Sequence, residues 1–208
     1  MNKEKILQKF GNEEYQVNDN TFVMGVHHLL GKYIAKKFKG YNRVLDGCCG
    51  AGFMSMVLAK NVNQVIMVDI NLEHLKQAED NIKRVGFYNK VKFIQGDILD
   101  KRVLDRVSGI DGAFLDPDWA RIGDSKNIHT PKLSDMLPPA DILFNEINKK
   151  TENILLRLPK EVNLSELKSL PSHKLEKVYL DDDFKFYCVY FGELKKRVDN
   201  KELRIFAD

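Results

Sequence analysis

Along the chain, Val26, Leu29, Leu30, Tyr33, Ile34 and Phe38 recur at intervals of three and four, which predicts an amphipathic helix ending near Gly40 with lysines on its other face. The period then changes. Short apolar runs at 43–46, 64–69, 91–94 and 113–116 predict strands, and helical patterns at 53–60, 72–85 and 99–107 fall between them. Strict alternation of this kind predicts βαβ units and a parallel sheet covered on both faces. A polar segment follows Asp116 as far as Pro131, and then come a helix at 140–149 and a fifth strand at 153–158. There the alternation stops. Runs at 174–180 and 184–191 are separated by Asp181, Asp182 and Asp183, a spacing that predicts a hairpin and so an antiparallel pair. The fold class is therefore α/β, with a Rossmann-like seven-stranded sheet, mostly parallel, closed by an antiparallel C-terminal hairpin strand. Residues 1–40 are expected to be a helical segment packing on the core, 41–195 the main domain, and 196–208 a charged tail that frays.

A chain of 208 residues can bury one continuous core without disulfides or metals. With 43% hydrophobic and 30% charged residues it reads as globular, not disordered or fibrous. The net charge of +3 is too small to imply nucleic-acid binding by itself, but it is unevenly placed. Before Leu45, eight basic side chains (Lys3, Lys5, Lys9, Lys32, Lys36, Lys37, Lys39, Arg43) face four acids (Glu4, Glu13, Glu14, Asp19). Such a lobe is either a solvated helix face or a surface that attracts a phosphate backbone. Cys48 and Cys49 are adjacent and Cys188 is remote, so no disulfide framework or zinc spacing is present and no metal is expected. A reducing, intracellular setting, cytoplasmic or, in a eukaryote, nuclear, follows. No apolar run approaches membrane-spanning length, and the polar start, Asn2 to Lys5, is unlike a signal peptide.

The candidate chemistry begins at Val44-Leu45-Asp46-Gly47-Cys48-Cys49-Gly50-Ala51-Gly52, an apolar strand that ends in an acid and runs into a small-residue turn before a helix. Glycines let a nucleoside approach the backbone and the N–H groups that open the helix. Asp69 ends the second strand about 20 residues on, where such folds place an acid that accepts from ribose hydroxyls. Asp97, in Gln95-Gly96-Asp97-Ile98, is placed to accept from an adenine amine. Ile70 and Ile98, their chain neighbours, are assigned to the same adenosyl-binding set. Asp116 ends the fourth strand, in Asp116-Pro117-Asp118-Trp119: both acids can accept from the exocyclic amine of a base, and Trp119 offers a flat surface for stacking. The alternative is that the aspartates cap helices and the indole plugs the sheet edge. Gly50-Ala51-Gly52-Phe53-Met54-Ser55 also invites reading as a dinucleotide fingerprint, against which the final hairpin counts. His27 and His28 read as a surface pair.

These motifs resemble the trimethylguanosine synthase family of RNA cap guanine-N2 methyltransferases, and the likeness spans most of the chain. Asp46-Gly47-Cys48-Cys49-Gly50-Ala51-Gly52 is similar to that family's Asp-x-x-Cys-Gly-x-Gly loop, and Trp119 stands at the tryptophan of its Ser-Pro-Pro-Trp motif, with Asp116 at the serine. Leu156-Arg157-Leu158-Pro159 and Val189-Tyr190-Phe191-Gly192-Glu193-Leu194 resemble its Leu-Pro-Arg-Asn strand and terminal Tyr-Phe-Gly-Asp-Leu segment. The resemblance implies a class I methyltransferase that uses S-adenosylmethionine: Asp46, Cys48, Gly50 and Gly52 hold the methionine part, Asp69 the ribose and Asp97 the adenine, with Asp116 at the rim of both pockets. It also implies an RNA partner, with Asp116, Asp118 and Trp119 as the catalytic set and guanine N2 as the acceptor. Asp118 replaces the family's second proline, and Ala120 and Arg121 its paired glycines, so the target pocket has a changed floor and charge. The stretch before the first strand is short for a cap-binding lid. A small-molecule methyltransferase and an RNA-binding module without catalysis are the competing readings; the sequence is silent on oligomeric state.

Overall fold

The computed structural model describes residues 2–119 and 129–207 and divides into two compact units, 1–110 and 111–208. Ala120 and Arg121 lie outside the described residues.

The first unit opens with α1 (Lys3–Phe10), α2 (Asp19–Met24) and α3 (His28–Lys36). Each starts on a side chain that accepts from an otherwise orphaned backbone N–H: Asn2, Asn18 in a reciprocal box with Thr21, and His27. The single helix expected to run to Gly40 therefore stops at Lys36 and continues only as turns. Then β1 (Arg43–Gly47), α4 (Phe53–Leu58), β2 (Gln64–Asp69), α5 (Leu72–Arg84), β3 (Val91–Gln95) and α6 (Lys101–Leu104) follow. The strands are parallel in the order β3-β2-β1, with Leu45 opposite Ile66 and Val68 opposite Ile94. All residues of β2 after Gln64 are buried, as a strand covered on both faces requires, whereas β3 exposes Lys92 and Gln95. Helix α5 presents Leu75, Ala78 and Ile82 inward and is capped by Asn71. The expected helix at 99–107 shrinks to the single turn of α6, which is started by the Asp100 side chain.

The second unit contains β4 (Gly112–Leu115), α7 (Ala140–Asn148), β5 (Ile154–Pro159), β6 (Lys174–Leu180), β7 (Asp183–Tyr190) and β8 (Glu202–Ile205), with strand order β4-β5-β7-β6-β8. Strands β4 and β5 are parallel, and β7 is antiparallel to both β5 and β6. The hairpin turns on two residues, Asp181 and Asp182, with Asp181 at φ +55°. Every residue of β5 is buried. Tyr190 donates to Glu176 Oε2 at 2.7 Å, so one buried carboxylate of the hairpin is satisfied from the neighbouring strand.

The tail does not fray. Residues Glu202–Ile205 form β8 beside β6, an eighth strand, with Asp181 N donating to Ile205 O and Ala207 N to Asp181 Oδ1. Its charged side chains mark the edge of a sheet, where they discourage further pairing. A charge count alone reads them as unstructured. Among the described residues no helix is long and apolar enough to cross a membrane, and no group of three or more His, Cys, Asp or Glu is arranged to hold a metal.

Candidate cofactor and substrate sites

In the first unit the turn after β1 is tied to the end of β2. Val68 O accepts from both Cys48 N and Cys49 N at 3.0 Å, and Gly50 N donates to Asp69 Oδ2 at 2.8 Å. Three residues of this turn lie in the left-handed region, Cys48 at φ +68°, Gly50 at +54° and Gly52 at +80°. The two glycines meet that demand without strain; Cys48 does so at a cost of about 1–2 kcal/mol. A Cβ on Gly52 would come within 3.0 Å of Met67 Cε and 3.1 Å of Ala78 Cβ, so glycine is what lets α4 start close against β2 and α5. A Cβ on Gly50 would meet nothing within 4 Å among the described residues, which leaves open space against the turn. Asn81, fully buried, braces the loop from behind, donating to Ala51 O and Gln16 O at 3.0 Å.

The acids of this turn have distinct settings. Asp46 is 1% exposed and accepts from Ser55 Oγ at 2.5 Å. Asp69 is 7% exposed; Oδ2 accepts from Gly50 N, and Oδ1 from Asn71 N at 2.9 Å with His74 Nδ1 at 3.5 Å. A carboxylate has about four lone-pair sites, so two backbone donors leave Asp69 capacity for a diol. The end of β3 joins the same group, because Gly96 N donates to Asp69 O and Gln95 Nε2 to Ile70 O. Beyond it Asp97 is exposed, with Oδ1 accepting from Leu99 N, while Ile98 is buried and Ile70 is 67% exposed. Cys48, Gly50, Gly52, Asp69 and the β3 end are thus one hydrogen-bonded constellation, and Asp46, at the end of β1, is held by Ser55. Burial first, then the charges of Asp69 and Asp46, push the Cys49 thiol well above its ordinary value, which disfavours the thiolate.

In the second unit, Asp116, Asp118 and Trp119 leave the end of β4 together. Asp118 makes an antiparallel bridge with Leu137, and Trp119 O accepts from Thr130 N at 3.0 Å, so the backbone on which the indole sits is fixed. Arg157, 5% exposed in the middle of β5, donates to Asp116 Oδ2 at 2.5 Å. Its guanidinium carbon lies 4.3 Å from the Trp119 ring centroid and 4.7 Å from that of Phe186, and the two rings are 6.5 Å apart and tilted by 53°, so the cation packs into the corner that the two rings make. His129 meets the indole edge-on at 5.3 Å and pairs with Glu161 at 3.0 Å. The indole Nε1 is buried and has no hydrogen-bond partner among the described residues. Burial pushes the Asp116 carboxyl up to about 6, with Arg157 pulling it down and Asp118 pushing it up again.

Sequence reasoning missed Arg157 as a site residue, although an arginine inside an otherwise apolar buried strand signals a required partner. It also missed Ser55 beneath Asp46 and His74 beneath Asp69, for which the helical pattern carries no sign. The histidine pair is not on an open surface: His27 Nδ1 accepts from Leu29 N to cap α3, and half-buried His28 packs its ring against Gly11, where a Cβ would be 2.9 Å from Nδ1.

The fold is that of the Rossmann-like α/β methyltransferases: a solved structure of a methyltransferase from Porphyromonas gingivalis W83 superposes with a TM-score of 0.76 at 21% identity, over 91% of this chain and 47% of that one. The family is shown by sequence, since residues 41–194 match the RNA cap guanine-N2 methyltransferases, and the chain belongs to that family. Among curated relatives, it is 30% identical over 122 residues to a protein of Methanocaldococcus jannaschii named as a ribosomal RNA large subunit methyltransferase, covering 56% of this chain and 32% of that protein. It is 27% identical over 90 residues to a ubiquinone/menaquinone biosynthesis C-methyltransferase of Legionella pneumophila, covering 41% of this chain and 36% of the relative. The chain therefore spans about a third of the length of these relatives.

Proposed function

We propose that this chain is an S-adenosylmethionine-dependent RNA methyltransferase that methylates the exocyclic N2 amine of a guanine. The observation that carries the reading is the placement of a carboxylate and an indole, Asp116 and Trp119, at the end of one strand and on one cation, Arg157. Base stacking on such a ring is worth about 1–3 kcal/mol. The Watson–Crick edge of guanine offers adjacent donors, N1–H and the N2 amine, which a carboxylate accepts together; adenine and cytosine set a donor beside an acceptor. Asp116 orients the amine, Asp118 takes the proton that the methylated amine sheds, and Arg157 covers one face of the indole so that a base stacks on the other.

The first unit fits an adenosyl cofactor. Open space lies against Gly50, and Asp69 retains acceptor capacity for a ribose diol after its two backbone bonds. Asp46, Cys48, Gly50 and Gly52 would hold the amino-acid end, Asp97 the adenine amine, and Ile70 and Ile98 the apolar sides of the ring. When bound, S-adenosylmethionine supplies a methyl group already activated on a sulfonium. What the protein adds is alignment, which is worth about 7–11 kcal/mol when donor and acceptor are held at near-attack distance.

Asp69→Ala is expected to weaken cofactor binding by about 100-fold or more, the loss of two hydrogen bonds to a charged acceptor at about 1.5–3 kcal/mol each, and titration calorimetry reads it directly. An unchanged affinity would mean the ribose sits elsewhere. Because Asp116 titrates near about 6, kcat should fall roughly tenfold per pH unit below that value and be level above it. A profile flat down to about pH 5 would remove Asp116 from the reaction.

The reading as a whole is tested by transfer of tritium from labelled S-adenosylmethionine to capped RNA, uncapped RNA, transfer RNA and a metabolite pool, with nucleoside digestion of the labelled RNA. Label in N2-methylguanosine supports it. Label only in a small molecule favours the chemistry of the C-methyltransferase relative and overturns it.

A further inference from the structure

Thirty acidic residues are spread over the 208 of the chain, so a 49-residue stretch would ordinarily carry about seven. From Asn20 to Val68 there is one, Asp46, and it is buried. The same stretch carries Lys32, Lys36, Lys37, Lys39, Arg43 and Lys60. Three lysines on other helices are neutralised along their own helix, Lys83 by Glu79, Lys101 by Asp105 and Lys149 by Glu146. That is the ordinary pattern of a solvated face. On α3 and just past α4 it is absent: Lys32, Lys36 and Lys60 are exposed and have no ion-pair or hydrogen-bond partner among the described residues.

Lys32 and Lys60 also line one cavity, of about 150 Å³, together with Phe10, Tyr15, His28 and Phe53. Its apolar side is built on Phe10 and Phe53, stacked at 3.5 Å with parallel planes, and Tyr15 meets Phe53 edge-on at 5.9 Å. His28 is fixed against Gly11. Burial, and after it the Lys32 ammonium, hold the His28 imidazole below its usual value, as expected where the local field already opposes another positive charge. The volume is about ten times the roughly 15 Å³ that admits one water, enough for a phosphate group. The lining includes two lysines without ion partners among the described residues, a tyrosine and a histidine beside the apolar Val26, Met56, Val57 and Val85, and no carboxylate, a charge balance that favours an anion over a cation.

We propose that the α3–α4 face is an RNA-backbone site, in which a phosphodiester of the substrate seats between Lys32 and Lys60 against the Phe10–Phe53 stack and Lys36 continues the track. This inference rests on RNA being the substrate. It requires no base contact, so it sets affinity and register while leaving base choice to other residues.

The test uses the full chain, a short fluorescein-labelled single-stranded RNA and fluorescence anisotropy across a salt series. Each single-strand phosphate that the protein no longer neutralises lowers the salt slope by about 0.7, which at about 0.1 M salt is roughly fivefold in affinity. The double variant Lys32→Gln/Lys60→Gln, which loses the one phosphate seated between them, is therefore expected to bind about fivefold more weakly and with a slope smaller by about 0.7. Its affinity for S-adenosylmethionine, read by calorimetry, should not change. A control, Lys101→Gln/Lys149→Gln, removes two lysines already paired with neighbouring acids and should leave binding within about twofold. Wild-type affinity and slope in the first double variant would overturn the inference, as would an equal loss in the control. A wild-type chain that methylates a metabolite but neither binds nor methylates RNA would instead sink the substrate reading on which the inference stands.

Discussion

Trp119→Ala should reduce methyl transfer by about 100-fold or more while cofactor affinity stays at its wild-type value. Stacking alone, at about 1–3 kcal/mol, is worth from about 5- to 150-fold, and an acceptor misplaced by an ångström costs about 100-fold more. The cofactor residues proposed for the first unit, Asp46 to Gly52, Asp69 and Asp97, do not include the indole, so calorimetry separates the two effects. Trp119→Phe keeps a flat face for a base and for Arg157 and is expected to retain much more activity than the alanine variant. If Trp119→Ala keeps activity within a few-fold, the indole is a plug against Arg157, Phe186 and His129 and the base lies elsewhere.

Arg157→Met should destabilise the chain by about 3–5 kcal/mol at pH 8, because it leaves the largely buried Asp116 carboxylate without its cation. The loss should shrink at acid pH. Burial lifts Asp116 above the ordinary carboxylate range, so the folded chain binds its proton more tightly than the unfolded chain does. That contribution to stability is full below about pH 4 and lost as pH rises through about 6. Below that point Asp116 is neutral, and removing Arg157 strands no charge. Arg157→Met/Asp116→Asn should recover most of the stability at pH 8, a coupling that urea denaturation of both single variants and the double variant measures. Equal destabilisation at both ends of the pH range would show that Arg157 contributes by packing against Trp119 and Phe186 and not through its charge.

Three of the strands that lead to the acids, β1, β2 and β4, were legible because each is an apolar run that delivers an aspartate at or next to its end, whereas β3 carries Lys92 and ends at Gln95, two residues before Asp97. Leu45, Ile66, Val68, Phe114 and Leu115 are all buried where the alternation places them. The hairpin was legible from three consecutive aspartates between two β-rich runs, although its turn uses only two of them. What escaped depends on partners distant in the chain. Arg157 finds Asp116 41 residues away, and periodicity holds no trace of that distance. Ser55 and His74 sit on helices whose faces look ordinary, and only the fold brings them against Asp46 and Asp69. Strand β8 escaped for another reason: its four residues alternate polar and apolar too briefly to stand out, and its charges suit both an edge strand and a tail. The α3 lysines left two readings open, a solvated face and a surface for a phosphate backbone, and neither α3 nor α4 carries an acid to pair them.

The most direct measurement is calorimetric titration of the full chain with S-adenosylmethionine, S-adenosylhomocysteine and NAD. Saturable binding of both sulfur nucleosides and none of NAD is the predicted result, since the turn through Gly50 and Gly52 and the carboxylate of Asp69 are read as one adenosyl cradle. Binding of NAD alone, or of none of the three, would contradict the account.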